Sequence, residues 1–439
     1  MADIAPLTPL RFDLSRLGKG SLADVICPPY DVINDEQRAE LCKRHPENVV
    51  QLELPEGEGD AKYNNAANLL EEWKRTGVLV RDEEPAFYRY DQTFTAPGAK
   101  ERITRRGFFA LVKLVPFSAK VVLPHERTLS GPKADRMKLF VATRASLSPG
   151  FMLYRDPQKK LDAALATATE VARFTTPDGI EHVLAKVTDK DALRKIVDGV
   201  AQSSLLVADG HHRYETALAY SDETTSAGLT RPEHQWFMAF LANGDDPELL
   251  VFPTHRHVHS LEKVDFDALL KGAATLFDVK EMPKGSPADV LTSALIESGK
   301  TQPSLVACAA DGRAALLALS PKADLAKHAV LGKEIDALRK TDVALLHMGL
   351  LEPVLGITRE KQAAKTNIWY PQDAAAALAD LRGGKGQVLF LMNGSPVAQV
   401  REVAEAGEVM PQKSTFFFPK IPTGLCIHTL EPVRQVASV

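Results

Sequence analysis

The chain has 439 residues, 45% of them hydrophobic and 25% charged, with 27 Gly and 28 Pro; this globular composition excludes a disordered or fibrous protein, and the length calls for more than one domain. Lys plus Arg number 53 against 57 Asp plus Glu, so the net charge of −4 gives no general attraction to a polyanion and makes a nucleic-acid partner an unfavourable expectation. Cys27, Cys42, Cys308 and Cys426 stand far apart and form neither a CxxC pair nor a disulfide framework, which fits a reducing compartment. The opening residues hold no apolar leader core, and no stretch approaches the roughly 18 apolar residues of a membrane span. A cytoplasmic protein without a membrane partner is expected.

In chain order, Cys27-Pro28-Pro29-Tyr30-Asp31 must be extended, because each proline pushes its predecessor out of the helical region. Asn34 then caps a predicted helix over 35–44, and the spacing of Ala66, Leu69, Leu70 and Trp73 predicts another over 63–75, stopped by Gly77. From about residue 86 short apolar runs replace the helices. FYRYDQTF and RGFFALVKLV read as antiparallel strands, VVLPHE as a third, and a helix is predicted over 132–145. Strand GFMLYR, helix 158–167, strand EHVLAKV, helix 189–200, strand SLLVADG and helix 211–220 follow, and this alternation implies a sheet with helices packed on it. Strands WFMAFLAN and LLVFPTHRHVH close the region. Beyond residue 264 come helices over 266–276 and 287–298, strands SLVACAA and AALLALS, helices between 333 and 351, strand TNIWY, helix 372–381, a hairpin in VLFLMNGSPVAQV and a basic tail. The expected class is α+β (mixed α/β), divided as an α-rich segment 1–100, a central core 101–262 and a C-terminal α+β domain 263–439.

The sharpest chemical feature is Asp209-Gly210-His211-His212-Arg213. An apolar strand ends there and a helix begins, so free backbone N–H groups and the positive end of the helix dipole converge where an anion would sit. Gly210 permits close approach, and His211, His212 and Arg213 add donors suited to phosphate oxygens. A second polar loop, His125-Glu126-Arg127-Thr128 followed by Lys133 and Arg136, offers one carboxylate for a hydroxyl proton and cations for phosphoryl oxygens. His255, His257 and His259 alternate, so a strand would project all three from one face; a polar sheet face from which His255 and Arg256 reach a ligand is preferred over a zinc site. Lys413, Ser414, Thr415 and Lys420 form a basic, hydroxyl-bearing segment that is expected to fold back over the anion site. Tyr30 and Asp31 are further substrate-binding candidates.

Residues 209–217, Asp-Gly-His-His-Arg-Tyr-Glu-Thr-Ala, resemble the signature loop of the ParB/sulfiredoxin superfamily, in which such a turn holds nucleotide phosphates, and most closely that of its free-serine kinases. Sulfiredoxin itself carries a cysteine where this chain has His211, and without the thiolate sulfinic acid reduction is not expected. Over nearly its whole length the chain resembles the bacterial domain of unknown function 1015 family, through Pro28-Pro29-Tyr30-Asp31-Val32, Leu123-Pro124-His125-Glu126-Arg127-Thr128, the loop at 209–213, Pro253-Thr254-His255-Arg256 and Met410-Pro411-Gln412-Lys413-Ser414-Thr415. The superfamily resemblance implies a central phosphate-binding core with a mixed sheet and a phosphotransferase interconverting free serine and O-phosphoserine. Its cofactors would be ATP or ADP with Mg²⁺, and Asp209 would reach the metal. Glu126 matches the kinases' glutamate base. His211, standing where sulfiredoxin has its nucleophile, leaves a phosphoserine phosphatase as the alternative. A ParB-like regulatory or DNA-binding protein is a further alternative, but no basic recognition helix is found.

Overall fold

Long apolar runs dominate the centre of the sequence, and they build the larger of two compact units. The computed structural model describes all residues except 19, 97–99, 128, 129, 230 and 432–439. Residues 1–124, 128–249 and 419–439 form the first unit; residues 125–127 and 250–418 form the second.

The first unit is organised by a nine-stranded mixed sheet made of β1 (Ile4–Ala5), β2 (Phe87–Thr95), β3 (Arg102–Lys113), β4 (Val122–Leu123), β5 (Gly150–Tyr154), β6 (Thr169–Thr175), β7 (Glu181–Val187), β8 (Leu205–Asp209) and β9 (Trp236–Asn243). Its order is β4-β8-β5-β9-β3-β2-β7-β6, with β1 also on β3. β8 runs parallel to β4 and antiparallel to β5, while β9 runs parallel to β5. The predicted partnership of β2 and β3 is antiparallel, pairing Tyr88 with Phe109 and Gln92 with Arg105. Phe108, Met152, Leu205, Val207, Phe237 and Leu241 bury one face together with Ile196, Val200, Tyr214 and Ala217 from helices. β5 and β8 have almost no exposed side chain, the pattern of strands covered on both faces.

The helices of this unit follow their capping chemistry. Asn34 and Gln37 form a reciprocal capping box at the start of α1 (Asp35–Arg44). Gly77, at φ +75°, ends α2 (Ala61–Thr76) in the left-handed conformation that suits glycine. α3 (Ser130–Thr143), α4 (Lys190–Ala201) and α5 (His211–Ser226) are its other long helices. The edge of the unit is tied by Asp82, whose carboxylate accepts both Arg11 Nε and Nη2 at 2.7 Å, the Tyr88 hydroxyl, and the charge of Lys186 at 3.2 Å.

The second unit carries a six-stranded sheet, β10 (Arg256–Val258), β11 (Phe277–Met282), β12 (Ser304–Ala309), β13 (Ala314–Leu319), β14 (Ile368–Trp369) and β15 (Val388–Met392), ordered β11-β13-β12-β15-β10-β14 and antiparallel throughout. Helices α6 (Ala288–Gly299) and α7 (Ala374–Arg382) cover it through Leu291, Leu295, Leu378 and Leu381. A separate ribbon pairs Leu250–Phe252 with Phe416–Phe418.

The class is therefore α+β, as the sequence implies, and among the described residues no helix is long and apolar enough to cross a membrane. One expected element is different. The predicted hairpin at 388–400 is a strand, β15, followed by helix α8 (Val397–Glu405). Pro396 stands at its N-cap, where a missing N–H costs nothing, and Val400, Val403 and Ala404 bury one helical face. The predicted helix over 158–167 shortens to Asp162–Leu165.

Burial pulls the Asp82 carboxyl upward, but the hydrogen bonds from Arg11 and Tyr88 and the charges of Arg11 and Lys186 outweigh it and bring its pKa down to about 2. Its folded value lies below the unfolded one, near 3.9, so the stabilisation is complete above that value and disappears as the pH falls toward 2. Asp82→Asn is expected to lose about 2 kcal/mol at pH 7 in urea unfolding, with the gap to the parent protein closing between pH 4 and 2. An unchanged gap at pH 2.5 would show that the ion pair is not its source.

Candidate functional site

At the end of β8 the register against β5 slips: Val207 faces Met152, but Asp209 faces Phe151. Such a bulge turns the end of a strand and re-aims the residue that follows it, here the carboxylate of Asp209. Gly210 then takes φ +90° as the N-cap of α5. A Cβ on it would stand 3.1 Å from the Cα of Gly150 and 3.1 Å from Arg213 Nε, so the turn needs glycine twice over, for its dihedral and for space. The helix is anchored by Tyr214, whose buried hydroxyl donates to Val115 O at 2.7 Å and accepts from Val115 N at 3.0 Å. His211 is buried and His212 half-buried on the first turn, where the helix leaves its leading N–H groups without intrahelical acceptors.

Asp209 is the electrostatic centre of this turn. Lys420 Nζ lies 2.9 Å from Oδ2, and Arg213 Nη2 lies 3.3 Å from Oδ1. Burial alone would raise the Asp209 carboxyl, but Lys420 and Arg213 hold it well below the usual carboxylate range. Arg213 also donates to the carbonyl of Pro149, so much of its fork fastens α5 to the loop before β5. Lys420 is placed by backbone contacts: Gln92 Nε2 donates to its carbonyl at 3.1 Å, and Arg105 Nη2 donates to the carbonyl of Pro419. Of the basic tail expected to fold over this loop, Lys420 reaches it. The contribution of Arg105, one of three arginines in the polar start of a strand, carries no signal in the sequence. These surroundings do not suit Mg²⁺ at Asp209, because both carboxylate oxygens already face cations; among the described residues no group of three or more His, Cys, Asp or Glu is placed to hold a metal ion.

The other predicted cations of this unit have carboxylate partners. Lys133 lies 2.9 Å from Glu215. Arg136 is buried and faces Glu53 at 3.3 Å and Asp135 at 2.6 Å, with its guanidinium 4.2 Å from the centre of the Tyr30 ring. Asp31 is exposed on the short turn Tyr30–Val32. Arg136, Arg213, Glu53, Ser148 and Thr216 line a cleft of about 40 Å³, which is room for a water rather than a substrate. Thr128 lies outside the described residues.

The second unit gathers three of the recurrent motifs. Ser414 N donates to Glu126 Oε1 at 3.0 Å, His125 Nε2 lies 2.8 Å from Thr415 Oγ1, and Met410 N donates to His125 O at 2.8 Å. Arg256 is 1% exposed. Its Nε donates to His347 Nε2 at 2.9 Å, its Nη1 to Thr254 O and its Nη2 to Lys413 O at 3.0 Å, so it clasps two loops. His255 accepts Met392 N at 3.1 Å through Nδ1, and burial, assisted by Arg256, lowers its pKa to about 4. His257 and His259 turn to Trp369, edge-on at 5.5 Å and stacked at 4.0 Å; the three alternating histidines do not converge. Arg127 is exposed, 3.8 Å from Glu408, and Lys413 is exposed at φ +59°.

The model of the family described as "Protein of unknown function (DUF1015)" matches residues 4–344. No curated protein matches the sequence. Among solved structures, a conserved hypothetical protein from Pyrococcus furiosus aligns with 13% identity and a TM-score of 0.35, covering 73% of this chain and 95% of that one. A free serine kinase in complex with AMP aligns with 12% identity and a TM-score of 0.37 over 73% of this chain and 92% of that one. SbnI with a C-terminal truncation, from Staphylococcus aureus, aligns with 10% identity and a TM-score of 0.34 over 72% and 86%.

Replacing Gly210 by Ala imposes both a positive φ and a backbone contact at 3.1 Å, so Gly210→Ala is expected to cost about 1–3 kcal/mol in urea unfolding. Gly228, at φ +70° with nothing within 4 Å of the position a Cβ would take, is the control: Gly228→Ala carries only the dihedral penalty, about 1 kcal/mol. Equal losses would show that the close approach to Gly150 does not matter.

Proposed function

The chain belongs to the family described as protein of unknown function (DUF1015), and we propose that its chemistry is phosphoryl transfer, with the phosphate group bound at the N-terminus of α5. The observation that supports this most directly is the build of the turn itself. A buried strand ends in a bulge and a left-handed glycine, the positive end of the α5 dipole lies beside it, and Lys420 and Arg213 stand at its one carboxylate. That arrangement concentrates positive potential at an aperture with close backbone approach, which is what a phosphate needs.

The finer reading comes from the likeness of residues 209–217 to the loop of the free-serine kinases. In it, Gly210, His211 and His212 hold the phosphoryl oxygens of a nucleotide, ATP or ADP, while the hydroxyl oxygen of free serine attacks phosphorus. The bond from phosphorus to the leaving phosphate oxygen breaks, and the hydroxyl proton passes to a carboxylate. The sequence resemblance gives that base as Glu126, whose carboxylate is oriented within its own unit by the Ser414 N–H. His211 donates to the phosphoryl oxygens and is not itself modified.

Purified protein given serine with ATP or ADP is expected to form O-phosphoserine, measured by phosphorus NMR. His211→Asn should lower the rate about 10²- to 10³-fold without a trapped intermediate, and Glu126→Gln about 10²-fold with the fold intact by circular dichroism. Nucleotide-independent release of phosphate from phosphoserine, with acid-labile, base-stable phosphate on His211, would instead establish the phosphatase direction. The absence of both activities would reject phosphoryl transfer on serine.

A further inference from the structure

Arg105 is a buried cation of the first unit that the proposed chemistry has not used. It is 2% exposed, and among the described residues it forms no ion pair with a carboxylate. One of its nitrogens, Nη2, is satisfied by Gln92 Oε1 and Pro419 O. Its other two, Nε and Nη1, are buried without any partner. Buried arginine nitrogens are ordinarily paired, because the cost of leaving them dry is large. Burial lowers this guanidinium's pKa, against the pull of Tyr90 and Asp209, to about 9, so it remains charged at neutral pH.

Its direction is informative. From β3 the side chain crosses the sheet face, its guanidinium 5.8 Å from the ring centre of Phe240 on β9 and 4.9 Å from that of Phe151 on β5. Phe151 is the register partner of Asp209, and Asp209 is close enough to act on the guanidinium's charge, so Arg105 reaches toward the strand that ends at the turn. The segment on which Nη2 rests, Pro419–Lys420, is also the one that carries Lys420 to Asp209. The other cations near the turn are neutralised: Arg136 by Glu53 and Asp135, Lys133 by Glu215. Arg105 is not.

We infer that Arg105 is a ligand of the anion bound at the Asp209–Arg213 turn, its Nε and Nη1 receiving a second anionic group beside the one at the helix N-terminus, so that the site takes a diphosphate in preference to a single phosphate. This rests on reading the turn as an anion site, and goes further in assigning the residue and the ligand class. The diphosphate oxygens would complete the donor set of Arg105, and the charge of the second phosphate would offset a buried cation that no carboxylate neutralises.

The test uses the full chain and two probes, inorganic pyrophosphate and inorganic phosphate, titrated by calorimetry. The parent protein is expected to bind pyrophosphate the more tightly. Arg105→Gln should weaken pyrophosphate about 10- to 100-fold, the worth of charge-assisted hydrogen bonds, while phosphate affinity stays within about twofold. Arg105→Lys, which keeps the charge, should recover part of the loss. Should Arg105→Gln not fold, crystals of the parent protein soaked in pyrophosphate decide the matter: phosphate oxygens within hydrogen-bond distance of Nε or Nη1 support the inference, and density confined to the helix N-terminus overturns it. Equal weakening of both probes, or of neither, also overturns it while leaving the anion site standing. If the parent protein binds neither probe, the anion site falls and this inference with it.

Discussion

One carboxylate organises the first unit's site. Asp209 is reached by a cation from the helix that follows it and by another from the far end of the chain, Arg213 and Lys420, and both attachments depend on its being ionised. Because the two cations lower its pKa more strongly than burial raises it, the charge persists across the neutral range, and the helix start, the loop before β5 and the segment at 419–420 are held to one point. A neutral side chain there would leave two partly buried cations without a counter-charge, a costly arrangement. The carboxylate therefore shapes the turn and leaves it positive on balance, since one negative charge faces two positive ones and a helix N-terminus.

Ion pairs fix several of the cations that the sequence shows as one cluster. Lys133 and Arg136 sit on the same helix, and each has an acidic neighbour close enough to fix it. The sequence shows a basic, phosphate-like cluster at 125–136 because it shows residues and not partners: Glu53, Glu215 and Glu408 lie scores or hundreds of positions away. The cluster is also divided, with His125, Glu126 and Arg127 in the second unit and Lys133 and Arg136 in the first.

What can be read from the sequence is local. Alternation and long apolar runs announce the antiparallel pair β2 and β3, Asn34 announces its helix, Gly77 its stop, and the run into Asp209-Gly210 announces the strand, turn and helix of the site. The hairpin expected at 388–400 fails because Asn-Gly-Ser-Pro is turn chemistry that serves a helix start equally well, and only the burial of Val400 and Val403 distinguishes the two. Contacts that depend on chain folding are largely hidden: nothing near position 105 suggests a role beyond a strand, and the bond from Ser414 to Glu126 spans 288 residues.

The buried arginines show how a motif residue can serve the fold through backbone carbonyls. Arg213 donates to Pro149 O, Arg136 to Glu53 O at 2.9 Å, and Arg256 to Thr254 O and Lys413 O. Each of these carbonyls belongs to backbone outside a sheet ladder, where a buried acceptor must still be satisfied. A guanidinium does this better than any other side chain because its five N–H groups are spread over a rigid plane and can hold two segments at once. In Arg256 all three nitrogens are engaged, two by carbonyls and Nε by His347, and the side chain acts as a clasp. Arg105 holds Pro419 O in the same way with one nitrogen, but two remain without an acceptor. A clasp has no need of the remaining two donors, and it is this surplus, rather than the presence of an arginine, that separates a ligand-facing side chain from a structural one.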